Sequence, residues 1–273
     1  MNAYQGTAGM EVHRLSGAIA AEVTGVDLAK LDGEQFEAIR KAFLEHCVLV
    51  IRGQHLSPEE LLEFSRRWGD ISITPMLNYI DGCPGLFQVD NVGKDRGVTE
   101  NWHSDSSFIP APPAITILAM QEMPSVGGDT MWSNQYLAYE RLSDGMKRLL
   151  EGLRAIFRGA RVARQLQADV EIPWAVHPIV RIHPETGRRS LYVGNPRESV
   201  PHLEGMTVEE SAPLIKFLYE QSTTPDRVYR HRWQKGDIAM WDNRCTMHYA
   251  VHDYGDEVRR LYRCTIRGEP PVS

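Results

Sequence analysis

The feature that most constrains this chain is a series of short β-type runs, each closed within a few positions by turn residues. They read "EVTGVDL", "CVLVI", "LFQVD", "AITILAM", "DTMWS", "HPIVRIHPETGRRSLYVG", "RVYRHRW", "DIAMWD" and "RRLYRCTI". Segments this short satisfy their backbone hydrogen bonds by pairing with other strands. Within the sixth run, "HPETG" (183–187) sets Pro and Gly between two β-rich halves, the signature of a hairpin.

Helical periodicity is confined to a few places. "DGEQFEAIRKAFLEH" (32–46) repeats apolar residues at Phe36, Ile39, Ala42 and Phe43, one buried helical face. "SPEELLEFSRRWG" (57–69) opens with Ser57 as N-cap, Pro58 in the first turn and Glu60 closing a capping box. "TVEESAPLIKFLYEQS" (207–222) opens in the same way on Thr207 and Glu210, with Pro213 early in the helix or kinking it. A fourth helix is expected over 143–156. Helices that come early or as insertions do not fit a regular βαβ alternation. The expected architecture is mainly β with flanking α-helices, a sandwich or jelly-roll. With no repeat, low-complexity tract or linker, residues 1–273 are expected to form a single domain.

Composition narrows the partners. A net charge of −6 offers no basic face, so no nucleic-acid partner is expected. Apolar runs such as "CVLVI" are far too short to span a bilayer, and the N-terminus lacks the order of a secretory signal, so neither membrane nor export is expected. Cys47, Cys83, Cys245 and Cys264 are scattered, which fits reduced thiols in a cytoplasmic protein.

Chemistry enters at "NWHSDSSF" (101–108). On an extended segment residues i and i+2 face the same way, so His103 and Asp105 project together while Trp102 and Ser104 face away. An imidazole beside a carboxylate suits a first-row divalent metal, and a second histidine would complete a facial triad for non-haem Fe(II). A polar turn carrying a histidine fits the same two residues. Toward the C-terminus, an extended "VRRLYRCTI" puts Arg259, Leu261, Arg263 and Thr265 on one face. Two arginines on one face of an otherwise apolar strand are costly unless they meet anions, the alternative being an exposed edge strand.

The segments "WHSDSSF", "PPAITILAMQEMPSVGGDTMW", "HPIVRIHPETGRRSLYV", "WDNRCTMHYAVHDY" and "RRLYRCTI" occur in the order found in the TauD/TfdA family of Fe(II)- and 2-oxoglutarate-dependent dioxygenases, which the chain resembles from about residue 10 to its end. The resemblance implies a double-stranded β-helix of the jelly-roll, cupin-like kind. It implies His103, Asp105 and His248 as the metal ligands and catalytic centre, with Fe(II), 2-oxoglutarate and O2 as cofactor and cosubstrates. His252 competes with His248. The family places its 2-oxoglutarate-binding arginine 11 residues beyond the ligand, which is Arg259 counted from His248 and Arg263 counted from His252. The "WDNRCTMH" run selects His248, leaving His252 as a neighbour of the site or a surface residue. Thr130 in "GGDTMW" matches the threonine that joins Arg259 on the distal carboxylate of 2-oxoglutarate.

Arg263 matches an arginine that binds an anionic group of the substrate in several relatives. That implies a small organic anion, whether a sulfonate such as taurine, a sulfate ester or an aryloxyalkanoate or other carboxylate, hydroxylated with release of succinate and CO2. The taurine branch also uses a histidine after the "WGD" stretch and an asparagine just before H-x-D. Those places hold Thr74 and Thr99 here, which points away from taurine itself, while Asn78, Tyr79 and Asn101 are the compensating substrate-side candidates. Two other readings compete: a zinc hydrolase built on the same His/Asp/His set, and a non-catalytic jelly-roll binding protein. The Thr130/Arg259 pair counts against the first and the intact triad against the second. Family habit implies a homo-oligomer, dimer or tetramer.

Overall fold

The computed structural model describes residues 4–5, 9–73, 78–90, 100–159, 172–196, 200 and 202–273. Its largest sheet runs in the order β1 (Tyr4–Gln5), β2 (Glu11–Arg14), β3 (Ala21–Thr24), β4 (Val48–Ile51), β15 (Ile238–Asp242), β7 (Ile115–Glu122), β17 (Arg260–Ile266), β6 (Cys83–Asp90), β5 (Tyr79–Ile80). All neighbours are antiparallel except β3 and β4. A smaller sheet, β14 (Val228–His231), β8 (Thr130–Asn134), β16 (Thr246–Ala250), lies across from it. Two further pieces, β10 (Trp174–Pro178), β9 (Arg154–Arg158), β13 (His202–Leu203) and the hairpin β11 (Val180–Ile182), β12 (Arg189–Leu191), extend the structure on one side.

The central strands are buried on both faces, which is why they read as unbroken apolar runs. On β4, Leu49 and Ile51 enter an outer core while Val48 and Val50 enter an inner one. The same division separates Ile117 and Ala119 from Leu118 and Met120 on β7, and Ile238 and Met240 from Ala239 and Trp241 on β15. The outer core is closed by α1 (Gly33–His46) and α2 (Pro58–Arg66), which contribute Ile39, Ala42, Phe43, Leu61, Leu62 and Phe64. The inner core lies between the two sheets, where the Trp132 ring of β8 meets Trp241 of β15 at 5.6 Å. A third cluster joins α3 (Gln135–Glu140), α4 (Asp144–Leu150) and α5 (Val208–Ser222) to the smaller β pieces. This is a mainly β jelly-roll with helices outside, as the strand pattern predicts.

The three capping boxes all form, with Asp32 and Gln35 serving α1, Ser57 and Glu60 serving α2, and Thr207 and Glu210 serving α5. Pro213 is accommodated inside α5. Two expectations need correction. The helix over 143–156 ends at Leu150, because Gly152 turns the chain at a φ of 76° and Arg154–Arg158 then alternates exposed and buried as a strand. The strand over "EVTGVDL" ends at Thr24, because Gly25 adopts a φ of 73° so close to Gly9 that a Cβ would lie 2.1 Å from its carbonyl oxygen. Asp27 then caps a short 3₁₀ turn, Leu28–Lys30.

Candidate active site

His248 stands in β16, buried, opposite Trp132 of β8. On its other edge β16 meets the segment carrying His103. The two histidines exchange backbone hydrogen bonds, His103 N to His248 O at 3.1 Å and His248 N to His103 O at 2.8 Å. This bridge is what brings a loop residue and a strand residue 145 positions apart in register, with their rings 4.2 Å apart. His103 Nδ1 donates to the Asn101 carbonyl at 2.8 Å, which fixes the tautomer with its hydrogen on Nδ1.

Asp105 is held by a chain of side chains. Its Oδ2 accepts from Thr116 Oγ1 at 2.6 Å, Thr116 Oγ1 accepts from Asn243 Nδ2 at 2.9 Å, and Asn243 Oδ1 accepts from Trp241 Nε1 at 3.0 Å. Ser104 points the other way, donating to Thr246 O at 2.7 Å, and the Trp102 ring packs tilted against Tyr249 at 5.8 Å. The alternation expected of His103 and Asp105 is therefore realised. Ser106, at a φ of 45°, turns the chain sharply after the carboxylate.

Burial would raise the Asp105 carboxyl, but the Arg263 guanidinium, helped by the Thr116 hydroxyl, outweighs it and holds the group well below the usual carboxylate range. His248 is driven the other way, first by burial and then by His103, so its ring is neutral at neutral pH. One ligand atom each from His103, Asp105 and His248 falls within 4.8 Å of the others. Two imidazoles, that of His248 neutral, and an ionised carboxylate gathered this closely fit the donor set of a non-haem Fe(II).

Next to the triad, Arg259 is buried just ahead of β17. Its Nε donates to Gly128 O at 2.8 Å and its Nη2 to Thr130 Oγ1 at 3.3 Å. Burial lowers its guanidinium to about 10, so it is still cationic at neutral pH. The GGDT turn presses close, for a Cβ on Gly128, at a φ of 71°, would meet Arg259 Cδ at 3.0 Å. Thus Thr130 on β8 and Arg259 just ahead of β17 set a hydroxyl and a buried cation side by side.

The family model described as "Taurine catabolism dioxygenase TauD, TfdA family" matches residues 11–265. The chain belongs to the TauD/TfdA family. An alkylsulfatase of Acinetobacter baylyi is 36% identical over 95% of this chain and 86% of its own length. An alpha-ketoglutarate-dependent sulfate ester dioxygenase of Pseudomonas putida is 34% identical, covering 96% of this chain and 91% of its own. A taurine dioxygenase structure from Burkholderia xenovorans superposes with a TM-score of 0.86 at 36% identity, covering 97% of this chain and 93% of that one. The chain is thus a 2-oxoglutarate-dependent oxygenase of the Fe(II) and O2 type, which removes the zinc hydrolase and the passive jelly-roll as readings.

Around this TauD/TfdA centre the substrate-side candidates divide. Arg263 sits at the site, its Nη2 2.6 Å from Asp105 Oδ1 and its guanidinium over Phe87 at 5.9 Å. Asn101 supplies its carbonyl to His103. Asn78 is exposed, one residue before Tyr79, whose ring edges onto Phe87. Thr74 and Thr99 lie outside the described residues. His252 Nδ1 lies 3.3 Å from Glu100 Oε1, and its ring approaches Tyr254 at 5.7 Å.

Thr116, Asn243 and Trp241 were not singled out from the sequence as site residues. The signal available was a lone threonine in the apolar run "AITILAM", where an unpaired hydroxyl would be costly. A second metal-like cluster, His183, Asp242 and Cys245, is also gathered within 4.8 Å. There Arg244 takes both Asp242 oxygens, Nε at 2.8 Å and Nη2 at 2.7 Å, and His183 Nε2 takes one of them again at 2.9 Å. It is a buried ion pair, not a metal centre.

Proposed function

We propose that His103, Asp105 and His248 hold the Fe(II) of this oxygenase, that Thr130 and Arg259 anchor the distal carboxylate of 2-oxoglutarate, and that Arg263 receives a small sulfate ester. The observation that carries the reading is the convergence of the triad, the buried Arg259 with Thr130, and a second arginine 2.6 Å from Asp105 on one side of the inner core. Sulfate esters are preferred over taurine because two similar proteins are named for that chemistry, and because Thr74 and Thr99 stand where the taurine branch has His and Asn.

When bound, the metal supplies the activation of O2 and the oxidation of 2-oxoglutarate to succinate and CO2. The protein's own residues prepare the place. Thr116 and Arg263 keep Asp105 ionised and oriented, the Asn101 carbonyl fixes the His103 tautomer, and burial keeps His248 neutral. Arg259 offers a guanidinium suited to bidentate capture of a carboxylate. Arg263 would hold the sulfate so that the carbon bearing the ester oxygen faces the triad. A hydroxyl entering at that carbon makes a hemiacetal sulfate; its C–O bond to sulfate breaks, hydrogen sulfate leaves and an aldehyde remains. No protein nucleophile is required. The whole chain is taken as one catalytic domain, with family habit supporting a homo-oligomer and the scattered thiols supporting the cytoplasm. Among the described residues no helix is long and apolar enough to cross a membrane.

The test is anaerobic titration with Fe(II) and 2-oxoglutarate, watching for a weak visible charge-transfer band, then exposure to air with short alkyl sulfates, taurine and aryloxyalkanoates. Sulfate and succinate released one for one from an alkyl sulfate supports the assignment. Turnover confined to taurine or to an aryloxyalkanoate would overturn the substrate, and no band would overturn the site.

A further inference from the structure

We propose that Trp233 is a positioning residue: it occupies one lone pair of Thr130 Oγ1, so that the Thr130–Arg259 clamp meets its ligand with donors only. This rests on the assignment of Thr130 and Arg259 to the distal carboxylate of 2-oxoglutarate. A threonine hydroxyl has one hydrogen to give and two lone pairs to receive with, whereas an indole N–H can only donate. Trp233 Nε1 donates to Thr130 Oγ1 at 3.0 Å and Arg259 Nη2 donates to the same oxygen at 3.3 Å. Both lone pairs are then taken. The hydroxyl hydrogen must leave in the remaining direction, and among the described residues it meets no acceptor, although Thr130 is only 2% exposed. A buried donor without an acceptor is costly unless a ligand supplies one.

The indole cannot easily yield. Trp233 is 2% exposed, packed in the inner core, with its ring against His231 at 4.9 Å. His231 is itself fully buried and tied on both ring nitrogens, to Tyr229 Oη at 3.1 Å and to Asp237 Oδ2 at 3.1 Å. It also lies opposite Thr130 in the β14–β8 register. On the other side, Arg259 Nε is committed to Gly128 O, which sets the plane of the guanidinium. What the Thr130 and Arg259 side chains can offer a ligand is therefore N–H and O–H only.

A donor-only pair has a consequence for selectivity. An ionised carboxylate offers two acceptor oxygens and satisfies both partners. A primary carboxamide of the same size offers one oxygen and an NH2, so one donor is left facing another. With the indole N–H removed, Thr130 regains a free lone pair, its hydroxyl can rotate, and it can accept from the amide.

The experiment compares wild type, Trp233→Phe, Thr130→Val and the double variant, each with Fe(II) and the primary substrate. Turnover is measured with 2-oxoglutarate and with its 5-amide, 2-oxoglutaramate, as cosubstrate. In wild type we expect kcat/KM to favour 2-oxoglutarate by about 100-fold or more, the scale of a site that leaves a buried polar group unmatched. Trp233→Phe is expected to raise the KM for 2-oxoglutarate about fivefold and to narrow that preference about tenfold. Thr130→Val raises the KM about tenfold or more, and adding Trp233→Phe to it has no further effect on the preference. Because both cosubstrates are read on the same protein, a change in the fraction folded cancels in the ratio. An equal loss with both cosubstrates in Trp233→Phe, or the same loss on the Thr130→Val background, would overturn the role of Trp233. If Thr130→Val leaves the 2-oxoglutarate KM unchanged, the clamp assignment falls too, which separates the two failures.

Discussion

His103–Asp105–His248 and His183–Asp242–Cys245 contain similar donors at similar spacing, both within 4.8 Å, yet they differ in how far those donors are already engaged. The difference lies in what the carboxylate already holds. Asp242 receives the Arg244 backbone N–H, Nε and Nη2 together with His183 Nε2, so its lone pairs are spent inside the protein. Its neighbours are spent as well: His183 Nδ1 accepts the Glu185 and Thr186 amides, and burial raises the Cys245 thiol well above its ordinary value, keeping it protonated. Asp105 receives one neutral hydroxyl and one guanidinium from a partly exposed arginine, and His103 is only half-buried. A cluster that can bind a metal is one that keeps lone pairs and an approach; residue identity alone does not make it.

The sharpest way to break this contrast is to remove the carboxylate from each cluster. Asp105→Ala is expected to lower Fe(II) or Co(II) affinity and turnover by about a thousandfold or more while the protein stays folded, as calorimetric metal titration and circular dichroism would record. Asp242→Ala should do the reverse. Stranding the buried Arg244 costs about 3–5 kcal/mol in denaturant unfolding, with one metal still bound per folded chain. A metal stoichiometry that falls in Asp242→Ala, or survives in Asp105→Ala, would erase the distinction. A smaller change is expected from Thr116→Val, which takes the hydroxyl off Asp105 Oδ2. Metal affinity should drop about 10- to 100-fold with the visible band shifted, and an unaltered affinity would mean the Trp241–Asn243–Thr116 chain is only packing.

The finest effect concerns acid. Burial would raise the Asp242 carboxyl, but Arg244 and His183 hold it below the usual range. With the folded value depressed, the unfolded chain takes up the proton first. The stabilisation is complete above the unfolded value of about 4 and is lost as pH falls through the folded one. Urea unfolding between pH 5 and pH 2 should therefore show stability rising with pH, and Asp242→Asn should reduce that slope. An identical slope in the variant would show that Asp242 does not titrate differently on folding.

Much of the candidate site is legible because it is local. His103 and Asp105 are two apart, Thr130 follows two glycines, and His248, Arg259 and Arg263 lie in one stretch of 16 residues. The capping boxes are local too, each decided within four residues, and all three formed. What escaped depends on pairing across the molecule. Thr116 reaches Asp105 only because β7 lies beside β15, which also brings Asn243 against it. Trp233 touches Thr130 only because β14 pairs with β8 and delivers the following residues there. The helix expected over 143–156 failed for a related reason: Arg154–Arg158 has apolar residues compatible with either period, and its partners Trp174–Pro178 and His202–Leu203 settled it as a strand.

Strand β17 sends Leu261 to the inner core and Cys264 to the outer one, with Arg263 reaching Asp105 from the inner side. A slip of one residue would turn the guanidinium into the packed hydrocarbon beneath α1 and α2 and lift Cys264 toward the ligands. Such a chain could not close either core. The error that would misplace Arg263 is therefore also one that prevents folding, so proofreading of this site is done by the closure of the two cores and needs no separate checkpoint.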